Sequence, residues 1–95
     1  MALELTVFHD PDRARFEIKV DAYVAVLEYT LLGDVMTIHH TNVPVELRGQ
    51  SIAGQLAKAA FDFARTEAFQ VIPACSYIAA YAKRFSEAGK LVLTD

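Results

Sequence analysis

Residues 43–56 read VPVELRGQSIAGQL, and the reading of the chain turns on this junction. Up to Val43 the residues alternate as in a strand. Pro44 cannot continue a central ladder, because it has no N–H to give. Val45 to Gln50 reads as a loop carrying Glu46, Arg48 and Gly49. Ser51 suits an N-cap, and beyond it Ile52, Leu56, Ala59, Ala60 and Phe63 recur every three or four positions. That spacing predicts the buried face of a helix running to about Glu67. The first amides of a helix have no partner inside it, and the helix dipole favours negative charge beyond them. Arg48 would add a cation there, and Gly49 would let the backbone approach closely. Together these suit a pyrophosphate. An ordinary strand-to-helix connection capped by Ser51 is the alternative reading of the same residues.

Upstream, Ala14 to Val20 alternates, with Phe16, Ile18 and Val20 on one face and Arg15, Glu17 and Lys19 on the other. This is the period of a half-buried strand. Asp21-Ala22 suits a tight connection to a second strand, Tyr23 to Leu31. Leu32-Gly33-Asp34 marks a turn into a third strand, Val35 to Val43. Strict alternation puts Met36, Ile38, His40 and Asn42 on one face of it, and Val35, Thr37, His39, Thr41 and Val43 on the other. Downstream, Phe69 to Ala74 reads as a fourth strand ended by Pro73, and Ser76 to Phe85 as a second helix with Ile78, Ala82 and Phe85 in one stripe. One more extended turn is expected at Leu91 to Leu93. The order β-β-β-α-β-α predicts an α+β sandwich, a mainly antiparallel sheet with a right-handed β-α-β crossover and a C-terminal helix. The crossover makes strands three and four parallel neighbours.

The 95 residues suit a single domain over 1–95, with little material for a lid. Nine Lys and Arg against twelve Asp and Glu give a net charge of −3, which argues against a protein whose main affinity is for nucleic acid. No apolar run approaches a membrane span and no secretory signal opens the chain, so neither a membrane nor export is expected. The single cysteine, Cys75, fits a reducing, cytoplasmic setting. His39 and His40 diverge from one strand, so no metal ligand set is expected.

The run Arg48-Gly49-Gln50-Ser51-Ile52-Ala53 resembles the Arg/Gln-x-x-Gly-x-Gly/Ala loop of the GNAT acetyltransferase superfamily. The wider text is similar to a miniature branch of that superfamily. It shares Phe16-Glu17-Ile18, Leu27-Glu28-Tyr29, His40-Thr41, Val43-Pro44, Glu46 to Gln50, Pro73-x-Cys75 and Tyr77-x-x-x-Tyr81 with that branch. The resemblance spans Arg15 to Phe85 and implies the GNAT-like, acyl-CoA N-acyltransferase sandwich. It departs at Ser51, where the loop pattern has glycine. A Cβ there would crowd a phosphate and a hydroxyl would donate to one, and the sequence leaves both open.

The resemblance implies acetyl-CoA or CoA as the cofactor. Its pyrophosphate would lie on the loop from Arg48 through Ala53, and its pantetheine arm would pair with Thr41, Asn42 and Val43. Transfer would run to a primary amine, of a small molecule or of a protein, in a monomer or weak homodimer. Cys75 opens the second helix, where the dipole favours a thiolate nucleophile; a small buried filler is the alternative. Direct attack by the amine needs only a base and an oriented thioester. His40, matching the family's His-Thr pair, is the candidate base, with a strand histidine satisfied by backbone as its alternative. Glu46 is a second candidate base, acting through water; an ion pair with Arg48 is the alternative reading. Tyr77 and Tyr81 stand one turn apart and would line the pantetheine groove or protonate the departing thiolate; packing on the sheet is the other reading. His9 is given no role. A non-catalytic CoA- or acyl-CoA-binding module competes with the transferase, and a purely structural partner protein is a third reading.

Overall fold

The computed structural model of the protein describes residues 5–93. Five strands form one sheet in sequence order: β1 (Phe8–Asp10), β2 (Arg15–Val20), β3 (Tyr23–Leu32), β4 (Val35–Asn42) and β5 (Gln70–Pro73). The first four are antiparallel; β4 and β5 are parallel, joined through α1 (Ile52–Thr66). After β5 come α2 (Ser76–Arg84) and the short α3 (Ser86–Gly89). Leu91 to Leu93 then returns to the sheet. The Val71 amide donates to the Leu91 carbonyl, and the Leu93 amide to the Val71 carbonyl, each at 2.8 Å.

The meander follows from alternation. Phe16, Ile18, Ala25, Leu27, Tyr29, Met36 and Ile38 all point to the face that α1 covers, and all are buried. The β2–β3 and β3–β4 connections are tight because Asp21 (φ 54°) and Gly33 (φ 61°) take the left-handed conformation. α1 buries Ile52, Leu56, Ala57, Ala60, Phe61 and Ala64. The expected stripe is therefore rotated by part of a turn: Ala59 and Phe63 are only half-buried, while Ala57, Phe61 and Ala64 carry the core. α2 lies beside α1 on the same side of the sheet, with Ile78 and Ala82 buried.

β1 is an unexpected strand. Its three residues are too few to show a period, but His9 pairs with Phe16 across the ladder and stacks on its ring at a centroid distance of 4.1 Å. Tyr29 and Phe63 complete that aromatic cluster, and the His9 Nε2 hydrogen-bonds the Tyr29 hydroxyl. Desolvation in this cluster pulls the His9 pKa below its ordinary value, partly opposed by Asp10. α3 was likewise not expected, its four residues being too short to read. Phe85 is not part of the α2 stripe: it sits past the helix in an extended conformation and is 44% exposed.

Candidate functional site

The strand-to-helix junction is built on a single 3-10 turn, Val45–Leu47. Leu47 is buried beneath it and holds the loop to the core. Next, Gly49 has φ 85° and Ser51 φ 58°, ψ 26°. Ser51 occupies the N-cap position, as expected, but its side chain caps nothing. With a left-handed Ser51 that caps nothing, the first amides of the helix are left to an outside acceptor, the concave arrangement that suits an anion. Among the described residues, the amides of Ile52, Ala53 and Gly54 find no protein acceptor; the first bond of the helix runs from the Gln55 amide to the Ser51 carbonyl at 3.1 Å. Arg48 Nε donates to the Val43 carbonyl at 3.4 Å, which keeps the guanidinium at the rim. Among the described residues Glu46 forms no ion pair with it. A cavity of about 380 Å³ opens over these groups. Thr41, Asn42, Val43, Ile52, Ala53, Gly54 and Tyr77 are among the residues that line it.

Thr41, which lines this cavity, also borders a gap in the sheet. The last β4–β5 pair is Ile38 with Pro73. The Ala74 and Cys75 amides then both donate to the Ile38 carbonyl, at 3.0 and 3.1 Å. This closes the parallel ladder, so β4 runs on from His39 to Asn42 without a β5 partner. Cys75 is half-buried at the N-terminus of α2, and its Sγ lies 3.9 Å from the Thr41 hydroxyl. Thiol and hydroxyl thus flank the gap.

The histidines do not fall as alternation predicts. Glu28 pairs with His40 and Tyr29 with Ile38, leaving His39 unopposed. This one-residue bulge reverses the faces of the rest of β4. Thr41, opposite Leu27, continues the helix-covered face, whereas His40, opposite Glu28, lies on the open face. The expected grouping of His40 with Ile38 is therefore corrected: both histidines are exposed, and Thr41 stands beside Cys75. Tyr77 and Tyr81 pack against α1 rather than the sheet. Tyr81 stacks on Phe61 at 5.6 Å, and the Tyr77 hydroxyl comes within 3.7 Å of where a Gly54 Cβ would sit. Burial pushes both phenol pKa values up, against a lowering by Arg84 at Tyr77 and by Lys58 at Tyr81, so both hydroxyls remain donors. Tyr77 lines the cradle, and Tyr81 lies further along the inter-helix groove. Gly54 and Leu47 were missed as lining residues. An isolated glycine in a helical pattern was the available signal, since it costs about 1 kcal/mol against alanine and wants a packing reason.

A strand end, free helix amides and a split parallel pair suit a diphosphate ester carrying a long arm. The chain matches the family described as GCN5-related N-acetyl-transferase over residues 15–91. It belongs to that family. Protein NATD1 of mouse is 38% identical over 82 residues, which cover 83% of this chain and 74% of the relative. Protein NATD1 of zebrafish is 37% identical over 86 residues, covering 87% and 78%. A solution NMR structure of a GCN5-like protein from Staphylococcus aureus superposes with a TM-score of 0.72 at 26% identity, covering 99% of this chain and 91% of that one. The family's α+β sandwich is the fold described above, and the cradle from Arg48 to Ala53 is the stretch by which the sequence resembles it. Among the described residues no helix is long and apolar enough to cross a membrane.

Proposed function

We propose that the protein is an acetyl-CoA-dependent acetyltransferase acting on a primary amine. The single observation that carries this reading is the row of unpartnered amides at Ile52 to Gly54 beneath a left-handed Ser51, with Arg48 at the rim. These residues fit a diphosphate: the amides donate to its oxygens and the dipole and guanidinium offset its charge. The exposed backbone of Thr41 to Val43, with no β5 partner, would pair with the amides of a pantetheine arm. The cofactor would supply an activated acetyl thioester.

The chain's own residues do the rest. The gap beyond Ile38 and Pro73 admits the arm, and Thr41 orients what arrives beside Cys75. Cys75 would take the acetyl group: its sulfur would bond to the acetyl carbon as the carbon–sulfur bond to CoA breaks, and the thiol's proton would leave on the CoA sulfur. An uncharged acceptor amine would then form the C–N bond as the Cys75 carbon–sulfur bond breaks, the nitrogen's surplus proton returning to the Cys75 sulfur. Incubation with acetyl-CoA followed by intact-mass measurement tests this. The account expects an added acetyl group that is absent in Cys75→Ala and is removed by amines. Turnover that survives Cys75→Ala would instead assign direct attack by the amine.

The second reading is a CoA-binding module without catalysis. It is favoured by one observation: the only hydrogen-bond partner of the Cys75 thiol among the described residues is the Thr41 hydroxyl, with no histidine or carboxylate beside it. CoA binding with no release of thiol from any amine would decide for that reading.

A further inference from the structure

The charge of the chain is divided. Residues 1–47, the meander and the turn that ends it, carry eight carboxylates against three Lys and Arg, a balance of −5. Residues 48–95, the cradle, the helices and β5, carry six cations against four carboxylates, a balance of +2. The cradle follows its half: Arg48 lines it, and no carboxylate among the described residues does. The meander has a face of its own to offer. α1 and α2 cover one side of the sheet; Thr30, His40, Asn42 and Ile72 point to the other, and all four are exposed. Across that open face one row runs in register from Asp10 through Arg15 and Glu28 to His40. Residues directly opposite on one face of a sheet have neighbouring side chains. Asp10 is 3.8 Å from Arg13, and Arg15 is committed to Glu17 at 2.9 Å. Glu28 is half-buried and its carboxylate pairs with no side chain among the described residues. It stands opposite His40, in the stretch of β4 that has no β5 partner. The gap beside that stretch therefore has Thr41 and Cys75 on the helix side and His40 and Glu28 on the open side.

We infer that the open face of the sheet beside this gap docks a lysine-rich protein segment: one lysine enters the gap toward Cys75, and a second cation of the same segment pairs with Glu28. The inference rests on the acetyltransferase reading for the fate of the first lysine; docking itself needs only the face and its charge. An acidic half with an uncommitted carboxylate selects a cation. The reacting amine must be uncharged to attack, so the carboxylate serves the second cation and not the first. A sheet face gives area rather than enclosure, which suits a protein segment, whereas small amines are held in concave sites. The spacing fits an extended chain. Glu28 lies on β3, two strand spacings, about 10 Å, from the line β5 would occupy beside β4. An extended segment advances about 3.3 Å per residue, so the second cation belongs about three residues from the acetylated lysine.

The test measures docking and transfer separately on the whole chain. A fluorescein-labelled peptide with a central lysine and an arginine at that spacing is titrated by anisotropy with wild type and with Glu28→Gln, alongside a peptide in which glutamate replaces the arginine. Wild type should bind the arginine peptide about fivefold more tightly, the effect expected of one partly exposed ion pair, and Glu28→Gln should lose that preference. CoA affinity, read by calorimetry, should be the same in both proteins, because Glu28 lies outside the cradle. With acetyl-CoA present, thiol release should show the same preference in kcat/KM. Equal binding of the two peptides by wild type, a preference that survives Glu28→Gln, or a free aliphatic diamine turned over as fast as the arginine peptide would overturn the docking face while leaving the transferase standing. Glu28-dependent binding of the arginine peptide with no thiol released by any amine would uphold the docking face and overturn the transferase.

Discussion

Ala53→Pro separates the anion-binding role of the backbone from its structural role. Position 53 is the second residue of α1, and its amide has no protein acceptor. Proline there removes one donor and no existing hydrogen bond. The clash that breaks helix interiors is with the carbonyl four residues back, and here that residue is Gly49, outside the helix. Proline restricts Ile52, a cost, and lowers the entropy of the unfolded chain, a gain of about 0.4–1 kcal/mol. These oppose each other, so stability should move by no more than about 1 kcal/mol, or about 4–8 °C in Tm for a domain of this size. Binding should respond differently. An N–H donated to a phosphate oxygen contributes about 1.5–3 kcal/mol, so the Kd for CoA should rise by roughly 10- to 150-fold. Calorimetry gives the affinity and scanning fluorimetry the Tm. Ala53→Ser, which keeps the amide and adds an atom of bulk, should bind almost as wild type. A folded Ala53→Pro variant with unchanged affinity would refute the assignment of these amides to the ligand.

Other outcomes follow from the same geometry. Arg48→Ala should weaken CoA binding by about tenfold, measured by calorimetry, with Tm little changed, because its tie to the Val43 carbonyl is long and exposed. Ser51→Gly should leave Tm unchanged or raise it by a few degrees, since relief of about 1–2 kcal/mol of left-handed strain outweighs the extra freedom of the unfolded chain. Gly89→Ala should lower Tm: an added Cβ would lie 2.8 Å from the Ala82 carbonyl oxygen, and strain of this kind costs about 1–3 kcal/mol. The His9 pKa is lower in the folded than in the unfolded state, so the unfolded chain takes up the proton first. The stability this gives is complete above about 6.5 and is lost as pH falls from there through the folded pKa. His9→Phe should flatten that part of a Tm-against-pH profile; a profile identical to wild type would show that His9 is not the group responsible.

Where the chain has a period it declares its fold. Phe16 to Val20 and Ile52 to Phe63 carry alternation and helical spacing, which place the meander and the crossover. The turn residues at Asp21 and Gly33 add the connections. The cradle was legible for a related reason, because a proline, a glycine and a cation compressed between a strand and a helix leave few backbone arrangements. Three things were hidden. β1 is short, and the burial of His9 depends on Phe63, more than fifty residues away in sequence. The bulge at His39 is a property of how β4 pairs with β3, and strict alternation cannot register it; one extra residue moved His40 to the open face and brought Thr41 to Cys75. The uncapped state of Ser51 was also unreadable, since serine is a good cap, and nothing in the sequence announces the left-handed backbone with which it caps nothing here.

Backbone ¹H–¹⁵N spectra of the labelled protein, recorded as CoA is added, address the central claim most directly. The account predicts that the largest shifts fall on the amides of Ile52, Ala53 and Gly54 and on the Arg48 side-chain N–H, with those of the aromatic cluster around His9 unmoved. Saturable CoA binding that leaves the amides of Ile52 to Gly54 undisturbed would contradict it.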